Sequence, residues 1–214
     1  WKLIEVKGVN FSKISQKMLP VLNLSSCEQA DLIAQLMEES NLTYLEITLR
    51  NDNAMTVLSH ILSNYPRLIV GVGTITKSDD MVSVAESGAH FGVTPGMNSA
   101  LYAAMKDSSL PIIPGVSTIS EAMEAMEHGC DYVKLFPASQ IGLNTVKSWL
   151  GPLEKISICA TGGLDLNSAK EWLGVPQVKM VGGGWMAPKE ILIEAVNGDA
   201  ESLEILRNNF QQLY

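Results

Sequence analysis

Histidine and cysteine are scarce in this chain, with three of each among 214 residues. Neither set is spaced for ligation. His60, His90 and His128 form no HxH or HExxH pair, and Cys27, Cys130 and Cys159 lie far apart with no CxxC. That spacing speaks against a zinc site and against a disulfide framework, leaving the cysteines as reduced core thiols of a cytoplasmic protein. A basic stripe is missing as well. The formal charge is −8, which leaves little with which to neutralise phosphates along a nucleic acid. Apolar runs stay well short of the roughly 20 residues that a membrane span needs, and the N-terminus shows no signal-peptide pattern. No GxGxxG turn follows the first expected strand, so the phosphate fingerprint of an open dinucleotide-binding sheet is lacking.

What is present is an ordinary soluble composition, 46% hydrophobic and 18% charged, in a length that suits one domain over residues 1–214. After a short amphipathic lead, apolar β-branched runs alternate with helix-patterned stretches. Strands are expected over 18–24, 43–49, 68–74, 91–94, 111–116, 132–137, 156–161 and 178–181, the last running into three glycines. Helices are expected over 27–39, from Asn51-Asp52-Asn53 to Tyr65, from 76–78 to Gly88, over 98–105, from 117–120 to Gly129, over 143–150 and 165–173, and through the tail. Strands recurring about every 20 to 25 residues, joined by helices, imply a parallel sheet covered by helices. Eight such repeats in one domain predict a single (β/α)8 TIM barrel, favoured over a doubly wound open sheet.

Active-site residues of such barrels lie at the C-terminal ends of the strands. In Tyr132-Val133-Lys134-Leu135-Phe136-Pro137, alternation puts Lys134 on one face with Tyr132 and Phe136. In isolation this stretch fits an edge-strand lysine facing water. Inside a barrel it becomes a buried amine, and burial favours the neutral form that carbonyl addition requires. On the second strand Tyr44, Glu46, Thr48 and Arg50 share one face while Leu45, Ile47 and Leu49 share the other. The apolar face belongs against helices, so the polar set points inward, where a glutamate and an arginine are costly unless paired or used. The third strand ends in Gly71-Val72-Gly73-Thr74, with glycines that allow close approach and a hydroxyl at the rim. The seventh and eighth end in Thr161-Gly162-Gly163 and Gly182-Gly183-Gly184, at the two loops where barrels frequently bind phosphate through backbone N–H groups.

These segments, with Val93-Thr94-Pro95-Gly96, Pro114-Gly115-Val116-Ser117-Thr118 and Lys134-Leu135-Phe136-Pro137-Ala138, resemble the 2-keto-3-deoxy-6-phosphogluconate and 4-hydroxy-2-oxoglutarate aldolase family, a group of class I aldolases. The likeness runs from about Leu19 to Pro188. It implies Lys134 as the Schiff-base lysine and Glu46 as general acid and base. Arg50 and Thr74 would grip the carboxylate of a 2-keto acid, with Pro95, Phe136 and Thr161 lining the substrate. Gly162, Gly163, Gly183 and Gly184 would hold a phosphate. No metal or cofactor is implied, and a homotrimer is. Two departures bear on the aldehyde half. Gly184 replaces the serine usual in members that cleave the phosphorylated acid, and Ala160 replaces the proline usual before Thr-Gly-Gly. A phosphosugar isomerase or epimerase, or a ligand-binding barrel without catalysis, stands as the alternative.

Overall fold

The computed structural model of the chain describes residue 11 and residues 14–212; most of the amphipathic lead lies outside them. In chain order the elements are β1 (Met18–Leu22), α1 (Cys27–Glu39), β2 (Tyr44–Thr48), α2 (Ala54–Asn64), β3 (Ile69–Gly73), α3 (Ser78–Glu86), β4 (Phe91–Val93) and α4 (Ser99–Asp107). Then follow β5 (Ile112–Ile113), β6 (Gly115–Val116), α5 (Ile119–Glu127), β7 (Tyr132–Leu135), α6 (Ala138–Ile141), α7 (Leu143–Trp149), β8 (Ser157–Thr161), α8 (Leu166–Leu173) and β9 (Val178–Gly183). A 3-10 turn (Gly184–Met186), α9 (Lys189–Val196) and α10 (Ala200–Gln211) complete the chain.

The nine segments pair in the order β5-β4-β3-β2-β1-β9-β8-β7-β6, and every pair is parallel. β5 and β6, the two ends of that order, are consecutive in the chain and separated only by Pro114. The ladder therefore returns on itself as an eight-stranded barrel. Where one fifth strand over 111–116 is expected, two short pieces are found, because Pro114 has no N–H to donate to a ladder. Its carbonyl still accepts from Lys134 N at 2.9 Å, and Thr94 Oγ1 accepts from Gly115 N at 3.0 Å, so the seam stays joined.

Alternation along the strands divides the core in two. Outward residues such as Leu45, Ile47, Val70, Val72, Val133 and Leu135 pack under the helices. Leu19, Phe91, Val93, Ile113, Cys159 and Met180 fill the inside, with Phe11, Tyr44 and Tyr132 against them. Phe11 closes the floor, edge-on to Phe91 at 5.4 Å between ring centroids and stacked on Tyr132 at 5.3 Å.

Helix starts follow local chemistry in most places. Ser26 caps α1 by accepting from Gln29 N, and Thr118 caps α5 in a reciprocal box with Glu121. The Asn51-Asp52-Asn53 triplet before α2 behaves differently. Asn53 makes no side-chain cap bond, and the triplet instead ties loops together. Asn51 Nδ2 donates to Asn23 Oδ1 at 2.6 Å and to the Leu24 carbonyl at 2.9 Å. The tail is two helices, divided at Gly198, whose φ of 96° suits glycine alone.

Candidate active site

Glu46 projects from β2 and Lys134 from β7, across the inside of the barrel from each other. Lys134 Nζ lies 3.1 Å from Glu46 Oε1 and 3.4 Å from Oε2. Both side chains are almost sealed, at 6% and 1% exposure. The polar face expected on β2 therefore does point inward, and it meets a lysine there. Both oxygens of the carboxylate face one amine, so a proton can pass between the two groups without leaving the interior.

The rim carries the other expected residues. Arg50, exposed just beyond β2, donates from Nε to Thr74 Oγ1 at 3.1 Å. Thr74 has a φ of 66°, left-handed backbone that a β-branched residue adopts only at a cost of about 1–3 kcal/mol. It ends β3 in that conformation with its hydroxyl against the guanidinium. Phe136 places its ring centroid 5.6 Å from Lys134 Nζ and lies against Gly162, where an added Cβ would come within 2.9 Å of the ring. Pro95 follows β4, its carbonyl against Gly115. Thr161 is buried at the end of β8, 3.6 Å from Cys159 Sγ through its hydroxyl. Burial pushes the Cys159 thiol up to about 11, which keeps it protonated and a poor nucleophile.

The four glycines are not equivalent. Gly162 and Gly163 have φ values of 99° and 68° and turn their backbone as few other residues can. Gly183 is extended, and the Trp185 ring occupies the place of its missing side chain. At Gly184 a Cβ would meet only the Val21 carbonyl at 3.4 Å, an ordinary contact. Gly184 is thus the one of the four with room for a side chain. Ser139 is a neighbour that the strand pattern does not point to. Its N–H donates to the Gly162 carbonyl at 3.1 Å, and its Oγ lies beside Gly163. It belongs to α6, a four-residue helix too short to show periodicity. A separate cavity of about 280 Å³ is lined by Glu38, Thr43, Tyr65, Arg67 and Leu68. Thr43 and Leu68 directly precede β2 and β3, so that cavity is at the opposite mouth from the lysine.

Among the described residues no cluster of three or more His, Cys, Asp or Glu could hold a metal ion, and no helix is long and apolar enough to cross a membrane. An amine beside a carboxylate, both buried inside a parallel barrel, is equipment for carbonyl chemistry through an amine adduct.

Comparison with known proteins gives that class a family. The model of the family described as "KDPG and KHG aldolase" matches residues 11–203. A 2-dehydro-3-deoxy-phosphogluconate aldolase of Pseudomonas aeruginosa is 37% identical over 179 residues, 82% of this chain and 80% of that protein. A KHG/KDPG aldolase of Escherichia coli is 32% identical over 176 residues, 82% of this chain and 83% of that protein. Among solved structures, a KDPG aldolase of Legionella pneumophila with pyruvate captured as a covalent carbinolamine superimposes with a TM-score of 0.85 at 28% identity, covering 92% of this chain and 93% of that one. One of Zymomonas mobilis with 3-phosphoglycerate gives 0.80 at 29%, covering 92% and 91%. The chain belongs to the KDPG and KHG aldolase family.

Proposed function

We propose that residues 1–214 form one catalytic barrel, a class I aldolase. It cleaves a 2-keto-3-deoxy-6-phospho sugar acid or 4-hydroxy-2-oxoglutarate to pyruvate and an aldehyde, glyceraldehyde 3-phosphate or glyoxylate. The observation that carries the proposal is the buried Lys134–Glu46 contact at 3.1 Å. Arg50 and Thr74, already joined at the rim, hold the substrate carboxylate, the arginine offering a fork of donors. Glu46 takes a proton from the amine, and Lys134 Nζ adds to the C2 ketone to give a carbinolamine. Glu46 returns the proton to the C2 oxygen, water leaves, and a protonated imine remains. The Glu46 carboxylate then removes the C4 hydroxyl proton. The C3–C4 electron pair moves toward the imine nitrogen, the aldehyde departs, and an enamine is left on Lys134. Protonation at C3 and addition of water release pyruvate and the free amine. The imine is the electron sink throughout, so neither a metal nor an organic cofactor takes part in these steps. The carbinolamine trapped in the Legionella enzyme supports the same first step here.

Pro95, Phe136 and Thr161 would line the substrate, and Gly162, Gly163, Gly183 and Gly184 would meet the phosphate. With no hydroxyl at Gly184 the phosphate is held more weakly. One hydrogen bond to a charged group is worth about 1.5–3 kcal/mol, roughly ten- to a hundredfold in affinity. Gly184→Ser, for which there is space, should lower KM for the phosphorylated acid about tenfold and leave 4-hydroxy-2-oxoglutarate unchanged. Pyruvate release coupled to lactate dehydrogenase reads both substrates. Release from neither would refute the activity, and an unchanged KM would refute the phosphate assignment.

The family resemblance also supports a homotrimer, and the free cysteines Cys27, Cys130 and Cys159 suit a reducing cytoplasm. Sedimentation equilibrium should find three times the chain mass; a monomer at micromolar concentration would contradict the trimer.

A further inference from the structure

The glutamate that meets Lys134 does not stand beside its own neighbour on β3. In the parallel register Glu46 pairs with Gly71 and Thr48 with Gly73, yet the Glu46 carboxylate lies over Gly73. A Cβ built on Gly73 would fall 1.9 Å from Glu46 Oε1, 2.6 Å from Cδ and 2.9 Å from Cγ. Oε1 is also the oxygen nearest Lys134 Nζ. The space where any other residue would begin its side chain is therefore filled by the atom that faces the amine. The corresponding space at Gly71 is filled as well, since a Cβ there would be 2.1 Å from the Phe91 ring. Phe91 is buried to 1% exposure within the interior core. The two glycines thus receive different groups. Gly71 admits an aromatic ring of the floor, and Gly73, one pleat nearer the mouth, admits the carboxylate. With Phe91 in the lower gap and Lys134 opposite, Glu46 has one place to lie.

We infer that Gly73 is a positioning residue for the aldolase reaction: its missing side chain is the seat that holds the Glu46 carboxylate against Lys134. The inference rests on Glu46 being the acid and base of the proposed mechanism. Gly73 has no side chain with which to touch the reacting atoms. The residue acts through Glu46, by leaving a space that two neighbouring strands and one ring define. A methyl group there has no flexible surface chain to push aside. It meets a buried carboxylate whose displacement breaks the contact with the amine.

The test places Gly73→Ala in three backgrounds: wild type, Glu46→Gln, which keeps the volume, and Glu46→Ala, which empties the seat. Thermal melts are read for all, and kcat and KM for pyruvate release are read for those that fold. In the wild-type background kcat should fall about 10²- to 10⁴-fold, the range of a general acid–base contribution. KM should stay within about threefold, since Arg50 and Thr74 remain. The melting temperature should drop in the wild-type and Glu46→Gln backgrounds and hold in Glu46→Ala, where the three atoms nearest that methyl are gone. Should the single variant fail to fold, the Gly73→Ala/Glu46→Ala double variant decides, and it should melt with Glu46→Ala. An equal loss of stability in all three backgrounds would mean that the glycine serves the strand, and the inference would fall. So would a wild-type kcat in Gly73→Ala. Wild-type turnover in Glu46→Ala alone would remove the acid–base reading itself, a result distinct from either of those.

Discussion

Lys134→Met yields a barrel that forms no adduct with pyruvate and turns over substrate at least about 10⁴-fold more slowly, a loss in keeping with removing a covalent nucleophile. The neighbouring buried thiol offers no replacement. Cys159, the register partner of Lys134 on β8, is held protonated by burial. The variant also separates activity from stability. Methionine fills much of the lysine's volume but leaves Glu46, 1% exposed, facing an apolar chain. Breaking a buried ion pair by removing one member costs about 3–5 kcal/mol, whereas replacing both members by apolar residues is often neutral or stabilising. The Lys134→Met/Glu46→Leu double variant should therefore recover most of the stability lost in the single one while staying inactive. Urea denaturation and single-turnover assays on the same preparations check both halves. Residual activity within tenfold of wild type in Lys134→Met would dispose of the lysine as nucleophile.

Glu46→Gln should lower kcat about 10²- to 10⁴-fold and leave KM for the 2-keto acid within a few-fold. Glutamine keeps the shape and can still accept a hydrogen bond from the amine. It cannot carry the proton that must pass from amine to carbinolamine oxygen, and it cannot accept the one from the C4 hydroxyl. The imine should then form slowly yet remain trappable on long incubation, which distinguishes this variant from Lys134→Met. A matched fall in kcat and rise in KM would instead assign Glu46 to binding.

The two largest effects fall on residues that strand alternation exposes in the bare sequence. On β2 the polar residues recur at every second position against an apolar face, and an all-parallel sheet has no solvated face for them. Lys134 between Val133 and Leu135 carries the same signal. The barrel follows from the repeat of strand and helix, and its closure needs nothing beyond the number of repeats. The break at Pro114 was open to the same reasoning, since a proline inside an expected central strand interrupts its ladder. The asparagines before α2 have the composition of a cap, but the partners of Asn51 (Asn23 and Leu24) and of Asn53 (Ser25) come from the β1–α1 loop, which local pattern does not reveal. Seats such as Gly73 under Glu46 and Gly163 beside Ser139 depend on the register of neighbouring strands and the path of a four-residue helix. Sequence marks those glycines as sites of close approach and leaves the approaching group unnamed.

Borohydride reduction in the presence of pyruvate, followed by intact-mass and peptide mass spectrometry, bears most directly on the Schiff-base lysine. A single stable adduct on the peptide carrying Lys134, absent without pyruvate, is the expected result. Folded protein that yields no adduct, or one on a different lysine, would contradict the mechanism at its first step.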